Sequence, residues 1–136
     1  MNSIVITRPY PFPRAQVWAA LTDADQLAAW LMPNDFQPKA GHRFTFRTKP
    51  APGFDGIVHS EVLDIVEPER LVISWRGGGL DTRVSFELAE SAGGTILTLR
   101  HEGFRGLSNA VPRFVLGLGW ADLIGKKLPA FIAGRG

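Results

Sequence analysis

The stretch that most constrains the fold runs from Asn109 to Leu128, because it is the only segment long enough for a major helix. Apolar residues recur in it at helical spacing, in two stripes on different azimuths. The first stripe is Val111, Phe114, Val115 and Leu118, and the second is Trp120, Leu123, Ile124 and Leu128. Gly117 and Gly119 separate the stripes. The pattern therefore predicts either a helix that bends at the glycines or a helix that contacts two different surfaces.

Both ends of this helix carry recognisable signals. Asn109 is a favourable N-cap residue, and Pro112 falls in the first turn, where its missing N–H costs nothing. Pro129 disfavours a helical conformation at Leu128, so we expect the helix to end or kink there. A helix of this span would be roughly 27 Å long, about the width of a small sheet.

Composition indicates one ordinary globular domain over residues 1–136. Hydrophobic residues make up 45% of the chain and charged residues 21%. There is no cysteine, which excludes disulfides and thiolate metal sites. The net charge is +2 and the basic residues are scattered, so we expect no nucleic-acid partner. The N-terminus lacks the features of a signal peptide, and no apolar run reaches about 18 residues. We therefore expect a cytoplasmic protein without a membrane span.

The first third of the chain predicts one strand and two short helices. Alternation over Ser3 to Arg8 is typical of a strand, which the following prolines interrupt. Arg14 to Leu21 has helical periodicity. Asp23 begins a second helix with Gln26 three residues later, a capping-box-like pair, and Pro33 closes it.

From Gly41 onward the hydrophobic period changes to two. The alternation predicts five further strands joined by hairpin-length turns, at 42–47, 56–66, 71–76, 82–88 and 96–101. Within 56–66 it leaves open whether the set containing Ile57 or the set containing Val58 faces inward, and a bulge midway would change the buried side.

Consecutive strands with short turns imply an antiparallel meander, and its apolar face needs a cover. The long C-terminal helix is the only cover available. The sequence therefore predicts an α+β fold, with a curved antiparallel sheet of about six strands wrapped around the C-terminal helix and two short helices after the first strand. The wedge between sheet and helix is a favourable place for a ligand cavity.

Motifs along nearly the whole chain carry a family resemblance. They are Val17-Trp18-Ala19-Ala20-Leu21-Thr22-Asp23, Leu27-Ala28-Ala29-Trp30 with Pro33, Lys39-Ala40-Gly41, Glu61-Val62-Leu63-Asp64-Ile65 with Pro68, Arg70-Leu71-Val72-Ile73-Ser74-Trp75, Thr95 to Gly103, and Gly119-Trp120 with Leu123 and Leu128. In this order they resemble the START/Bet v 1-like SRPBCC superfamily, specifically the branch named for the activator of the heat-shock protein 90 ATPase, which is also grouped with polyketide cyclase-like proteins.

The resemblance implies a helix-grip fold. Such folds host lipid carriers, cyclases, hydroxylase domains and co-chaperones, so the resemblance is more specific for fold than for function. Two departures concern the cavity entrance. Gly41 is single where relatives often have paired glycines, and a proline interrupts the end of the last helix.

Residues of the strands and of the long helix that are expected to face the wedge are candidates for lining a cavity. They are Phe44, Phe46, Trp75, Val84, Phe86, Leu99, His101, Trp120 and Asp122. For Trp75 and Trp120, a core position and a cavity wall fit equally well. His101 fits a structural histidine or a polar cavity group. Arg100 and Glu102 fit the solvent face of an amphipathic strand, although alternate members of Arg100, His101 and Glu102 could instead point into a cavity and orient a polar ligand head group.

Asp122 poses a conflict, because it shares an azimuth with the first apolar stripe if the helix is straight. An unpaired carboxylate is costly to bury, so either an Arg partner or a rotation at Gly119 that exposes it must remove the conflict.

Chemical motifs are otherwise absent from the sequence. His42, His59 and His101 lie on three different predicted strands, and their spacing does not indicate a metal site. No nucleophile with an adjacent base, phosphate loop or cofactor fingerprint is present. We therefore predict no metal and no cofactor, and we assign no catalytic residue.

The leading functional hypothesis is binding of a hydrophobic or amphipathic small molecule between the sheet and the C-terminal helix. The resemblance adds a chaperone-regulating interaction module, and a cyclase- or isomerase-like enzyme in which a cavity His or Asp moves a proton. A wedge filled solidly by side chains would count against both ligand-based hypotheses, and a large apolar patch on the convex face would favour the interaction module. Both a monomer and a homodimer fit the sequence.

Overall fold

The computed structural model describes residues 3–135, which form one antiparallel sheet and a set of helices on its concave face. The strands are β1 Ser3–Tyr10, β2 Arg43–Arg47, β3 Ile57–Val66, β4 Arg70–Gly77, β5 Leu80–Ser91 and β6 Gly94–Glu102. They are arranged in the order β1-β6-β5-β4-β3-β2. The helices are α1 Arg14–Thr22, α2 Ala24–Trp30, α3 Ala110–Asp122 and α4 Leu128–Arg135, with a 3₁₀ turn at Leu107–Asn109 and a π-helical turn at Leu123–Lys127. The predicted helix-grip fold is confirmed.

The inner face of the sheet follows the predicted alternation. Ile73 of β4 lies opposite Val84 of β5, which lies opposite His101 of β6, and all three are buried. The outer face instead carries cross-strand ion pairs, including Arg83 with Glu102 at 3.6 Å. Arg100 pairs with a glutamate on the same face, so the solvent-face interpretation of Arg100 and Glu102 is confirmed.

The burial of its side chains shows which residues of β3 face inward. Val58 and Val62 are buried, whereas Leu63 is 48% exposed. The register then shifts between Val62 and Asp64, and Ile65 packs against the core. The bulge therefore changes the buried side midway, as the pattern allowed.

The two short helices cover one end of the sheet. The Asp23 carboxylate accepts a hydrogen bond from the Gln26 backbone N–H at 3.1 Å, which confirms the predicted cap of α2. The Trp30 indole N–H donates to the Ala20 carbonyl at 2.9 Å and ties α2 to α1.

The N-terminal end of the long helix differs from the prediction. The Asn109 side chain makes no capping hydrogen bond to the helix. Its carboxamide oxygen accepts instead from the Arg105 backbone N–H at 2.8 Å. Asn109 ends a 3₁₀ turn that leads directly into α3, so its backbone is helical rather than extended as in a capping residue.

Of the two predicted outcomes at Leu128, an end of the helix is wrong, because helical structure continues to Arg135. The α-helical pattern is instead interrupted just before Leu128 by the π-helical turn. Across the π-helical turn the Leu128 N–H bonds to the Leu123 carbonyl, five residues back. A hydrogen bond of the same spacing to the Ile124 carbonyl would have to come from the backbone N–H of residue 129, which proline lacks. The Tyr10 hydroxyl supplies the missing donor to the Ile124 carbonyl at 2.5 Å.

The two apolar stripes of the long helix lie in different environments. Trp120, Ile124 and Leu128 of the second stripe are at most 2% exposed and pack over the sheet. Phe114 and Leu118 of the first stripe remain 65% and 61% exposed. The helix therefore presents two surfaces, of which only the second is covered by the sheet.

Candidate functional site

An apolar cavity of about 410 Å³ lies at one end of the wedge between the sheet and the first turns of α3. Three segments of chain form most of its walls, and Met32 after α2 completes them. The segments are the loop at 48–54, the inner side of β3 to β5 around the β4–β5 turn, and the segment 111–116 of α3. None of the lining residues is charged. Its volume and apolar walls are those of a small-molecule site.

Glycines allow the loop to close on the sheet. Gly56 has φ +85°, and a Cβ there would lie 2.5 Å from the Thr48 carbonyl oxygen. The Thr48 N–H donates to the Gly56 carbonyl at 2.8 Å and closes the loop. A Cβ on Gly78 would lie 3.3 Å from the Phe54 side chain. Phe54 can therefore lie against the β4–β5 turn and form one wall of the cavity.

Trp75 is the cavity-lining candidate that the structure places at this cavity. Its ring is also part of an aromatic cluster in the deeper wedge, 5.5 Å from Trp120 and 5.6 Å from Phe46 between ring centroids. The Phe86 ring lies 6.0 Å from the Trp120 ring between centroids. Side chains therefore fill the deep part of the wedge, and the cavity occupies only its end.

The remaining apolar candidates are part of this packed interior. Phe44 lies 5.2 Å from Phe46 between ring centroids, while Val84 and Leu99 have no exposed surface. Residues of the loop at 48–54 and of α3 line the cavity instead of these candidates.

His101 is the centre of a buried hydrogen-bond chain. The Trp120 indole N–H donates to its Nδ1 at 3.0 Å, and its Nε2 lies 2.7 Å from the Thr82 hydroxyl. That hydroxyl donates to the Trp75 carbonyl at 2.8 Å, so it accepts from Nε2–H. The pattern assigns the neutral Nε2–H tautomer. Burial lowers the pKa of His101 to about 4, which keeps the ring uncharged.

The comparison with known proteins identifies the family. Residues 11–132 match the family described as "Activator of Hsp90 ATPase homolog 1-like protein". The chain belongs to this family. The family resemblance stated from the sequence is thereby confirmed, and no curated protein sequence matches the chain significantly.

Solved structures support the family's fold in this chain. Protein MLL2253 from Mesorhizobium loti is 27% identical, with a TM-score of 0.90 and 98% of each chain covered. CalU16 from Micromonospora echinospora is 27% identical with a TM-score of 0.79, over 98% of this chain and 77% of that one. The Aha1 dimer from Colwellia psychrerythraea is 18% identical with a TM-score of 0.82 and complete coverage of both chains, which shows the fold alone.

Asp122 lies apart from the cavity and from the aromatic cluster. Its side chain is 46% exposed and pairs with Lys127 at 3.6 Å. The Asp122 carboxylate is therefore exposed and not buried beside an Arg partner, because the helix turns Trp120 rather than Asp122 toward the sheet.

The three histidines do not converge. His42 hydrogen-bonds the Asp35 carbonyl at 3.0 Å, His59 is on the outer face, and only His101 is in the core. Within residues 3–135 no group of three or more His, Asp or Glu side chains could hold a metal ion.

The sequence interpretation missed most of the cavity wall. Phe54, Leu80, Val111 and Leu116 line it, and none was nominated. The available signal was local, since Phe54 is a large aromatic residue between Gly53 and Gly56 in a turn-rich loop, where solvent exposure would be costly.

Proposed function

We propose that this domain binds a hydrophobic or amphipathic small molecule in the cavity between the sheet and α3. The observation that carries the proposal is the apolar cavity of about 410 Å³, whose lining contains no charged residue. A charged group buried there would have no partner, which is costly. The apolar part of a ligand therefore occupies the cavity, and any polar end remains at the open side near Thr48, whose side chain is exposed.

The cavity suits a small ligand. Its volume of about 410 Å³ corresponds to about fourteen water-sized groups, at about 30 Å³ for each. Trp75 contributes aromatic surface to the wall, and α3 contributes the aliphatic side chains of Val115 and Leu116. Such walls favour a flat or compact apolar molecule.

The test begins with native mass spectrometry of the protein purified gently from its own host's extract. We expect a non-covalent adduct that is released on unfolding. Binding of the uncharged dye Nile red is then measured for Leu116→Trp, which fills the cavity, and for Leu63→Trp, which adds the same ring on the 48% exposed outer face. Loss of binding in Leu116→Trp alone supports the proposal. A clean mass together with equal dye binding by the two variants contradicts it.

A chaperone-regulating role is the second proposal. The family description supports it, and so does the exposed apolar face of α3, where Leu118 is 61% exposed. The convex face of the sheet, where an apolar patch would favour this role, carries ion pairs. The test is the ATPase rate of purified heat-shock protein 90 with and without this domain. An unchanged rate at saturating domain concentration would rule the role out.

An enzymatic role has less support from the chemistry near the cavity. His101 has no exposed surface and both of its ring nitrogens are hydrogen-bonded, while Asp122 pairs with Lys127 on the surface. No titratable residue lines the cavity. A cyclase- or isomerase-like reaction would need an acid or base there.

We also propose that residues 1–136 act as one domain in the cytoplasm. The described residues share one hydrophobic core, and the cysteine-free sequence suits a reducing compartment. In the part of the chain that the structure describes, every helix is too short or too polar to cross a bilayer. Fractionation of host cells with an antibody to the protein would test the location.

A further inference from the structure

One surface of the 3₁₀ turn and α3 is apolar and is not covered by the sheet. Leu107, Val111, Phe114 and Leu118 are 93%, 70%, 65% and 61% exposed, and Ala121 is exposed as well. These five residues, here called the seam, follow one another at intervals of four, three, four and three residues. That alternation is the spacing at which one helix packs along another helix.

Ligand binding does not account for the seam. The cavity is lined by Val111, Pro112, Val115 and Leu116 of the helix. Of the seam residues only Val111 is among them, whereas Phe114 and Leu118 do not line the cavity. Closure of α3 onto a ligand would bury the cavity side and leave these two residues in water. Exposed apolar surface of this extent is uncommon on a monomer and marks an interaction site.

We propose that the seam is the interface through which two copies of this chain associate, helix against helix. A second copy supplies an apolar helix with the same spacing, and a two-fold axis pairs one seam with the other. No seam residue is charged, so the surface gives no electrostatic preference for an acidic or a basic partner. Phe114 is the middle residue of the seam and packs near its own counterpart.

The available area is sufficient for a small specific interface. At the observed exposures the seam presents roughly 600 Å² per copy, or roughly 1,200 Å² for a pair, which is at the lower bound for stable association. Val111 belongs both to the seam and to the cavity wall. The second copy therefore lies beside the part of the cavity wall that Val111 forms.

The test is the mass of the intact protein by size exclusion with light scattering, from about 1 µM to about 1 mM, a range that covers weak to moderate dissociation constants. We expect a dimer in the upper part of this range. Phe114→Glu and Leu118→Glu are expected to weaken association at least about a hundredfold, because each places a charge in the apolar centre. Leu63→Glu, at a 48% exposed position on the outer face, is the matched control and stays dimeric. Circular dichroism verifies that all three variants are folded.

A covalent probe locates the contact. Because the chain has no cysteine, Phe114→Cys introduces a single thiol, and oxidation should give a disulfide-linked dimer. Val5→Cys, at a 51% exposed position on β1, should remain monomeric under the same oxidation. A wild-type monomer at all concentrations, or a dimer that Phe114→Glu and Leu118→Glu leave intact, would overturn the proposal.

Discussion

Trp120 of α3 donates a hydrogen bond from its indole N–H to Nδ1 of His101 on β6, at 3.0 Å. The bond joins the C-terminal helix to the last strand inside the packed part of the wedge. It requires a neutral imidazole, because protonation would turn Nδ1 into a donor and set two N–H groups against each other.

The first prediction concerns the protonation of His101. NMR of the imidazole nitrogens should show the Nε2–H tautomer at pH 7 and a pKa of about 4, below the ordinary value of 6.5, because burial disfavours the charged ring. An Nδ1–H tautomer, or titration at an ordinary pKa, would contradict the hydrogen-bond assignment.

The lowered pKa has a consequence for stability. Below pH 6.5 the unfolded chain binds the proton before the folded chain does. The contribution of neutral His101 to the free energy of unfolding is therefore fully present above pH 6.5. It decreases by about 3 kcal/mol in total as the pH falls toward about 4. His101→Gln keeps a donor and an acceptor but does not titrate. The difference in unfolding free energy between wild type and His101→Gln, measured by urea denaturation, should shrink by this amount between pH 7.5 and 4.

The second prediction separates the Trp120 bond from packing. Trp120→Phe removes the indole donor but retains an aromatic ring, and should cost about 1–2 kcal/mol of unfolding free energy. It should also raise the pKa of His101, since Nδ1 becomes free to bind a proton. Trp30→Phe is the control, because it removes a comparable buried bond to the Ala20 carbonyl. Its stability cost should be similar, whereas the His101 pKa should not move.

Local patterns in the sequence were sufficient for most of the sheet and the short helices. Alternation in β5 and β6 identified the inward residues, because the strand period fixes which side chains share a face. The Asp23 cap was also predictable, since the donor is the backbone of Gln26, only three residues away.

The orientation of the long helix, the cavity walls and the hydrogen bonding near Pro129 depend on contacts between residues that are far apart in the chain. Both stripes of the long helix are apolar, and only the packed sheet shows that Trp120 turns inward while Phe114 stays in water. The cavity walls come from a loop, a turn and α3, which have no common period. Near Pro129 the Ile124 carbonyl accepts its hydrogen bond from Tyr10, which is 114 residues away in the chain.

The third prediction tests that long-range contact. Tyr10→Phe removes the hydroxyl that bonds the Ile124 carbonyl and should cost about 1–2 kcal/mol, because a buried acceptor then lacks a partner. Pro129→Ala restores a backbone N–H five residues after Ile124. In the Pro129→Ala background, Tyr10→Phe should therefore cost less than it does alone, as a double-mutant cycle of urea denaturation would show. Equal costs in the two backgrounds would mean that the hydroxyl does not replace the N–H that proline lacks.

The fourth prediction uses two glycines with nearly the same positive φ. Gly56 and Gly79 have φ of +85° and +84°, so Ala is strained to a similar degree at either position. Their surroundings differ, because a Cβ at Gly56 would lie 2.5 Å from the Thr48 carbonyl oxygen, whereas a Cβ at Gly79 would meet nothing within 4 Å.

Gly79→Ala should therefore cost about 1 kcal/mol from backbone strain, and Gly56→Ala about 2 kcal/mol more, because the loop must move away from the sheet. The same movement displaces the loop that carries Phe54 and opens the cavity wall. Gly56→Ala should then weaken Nile red binding severalfold, whereas Gly79→Ala should leave it unchanged. Equal losses of stability in the two variants would show that the loop is not held closed by the contact between Gly56 and Thr48.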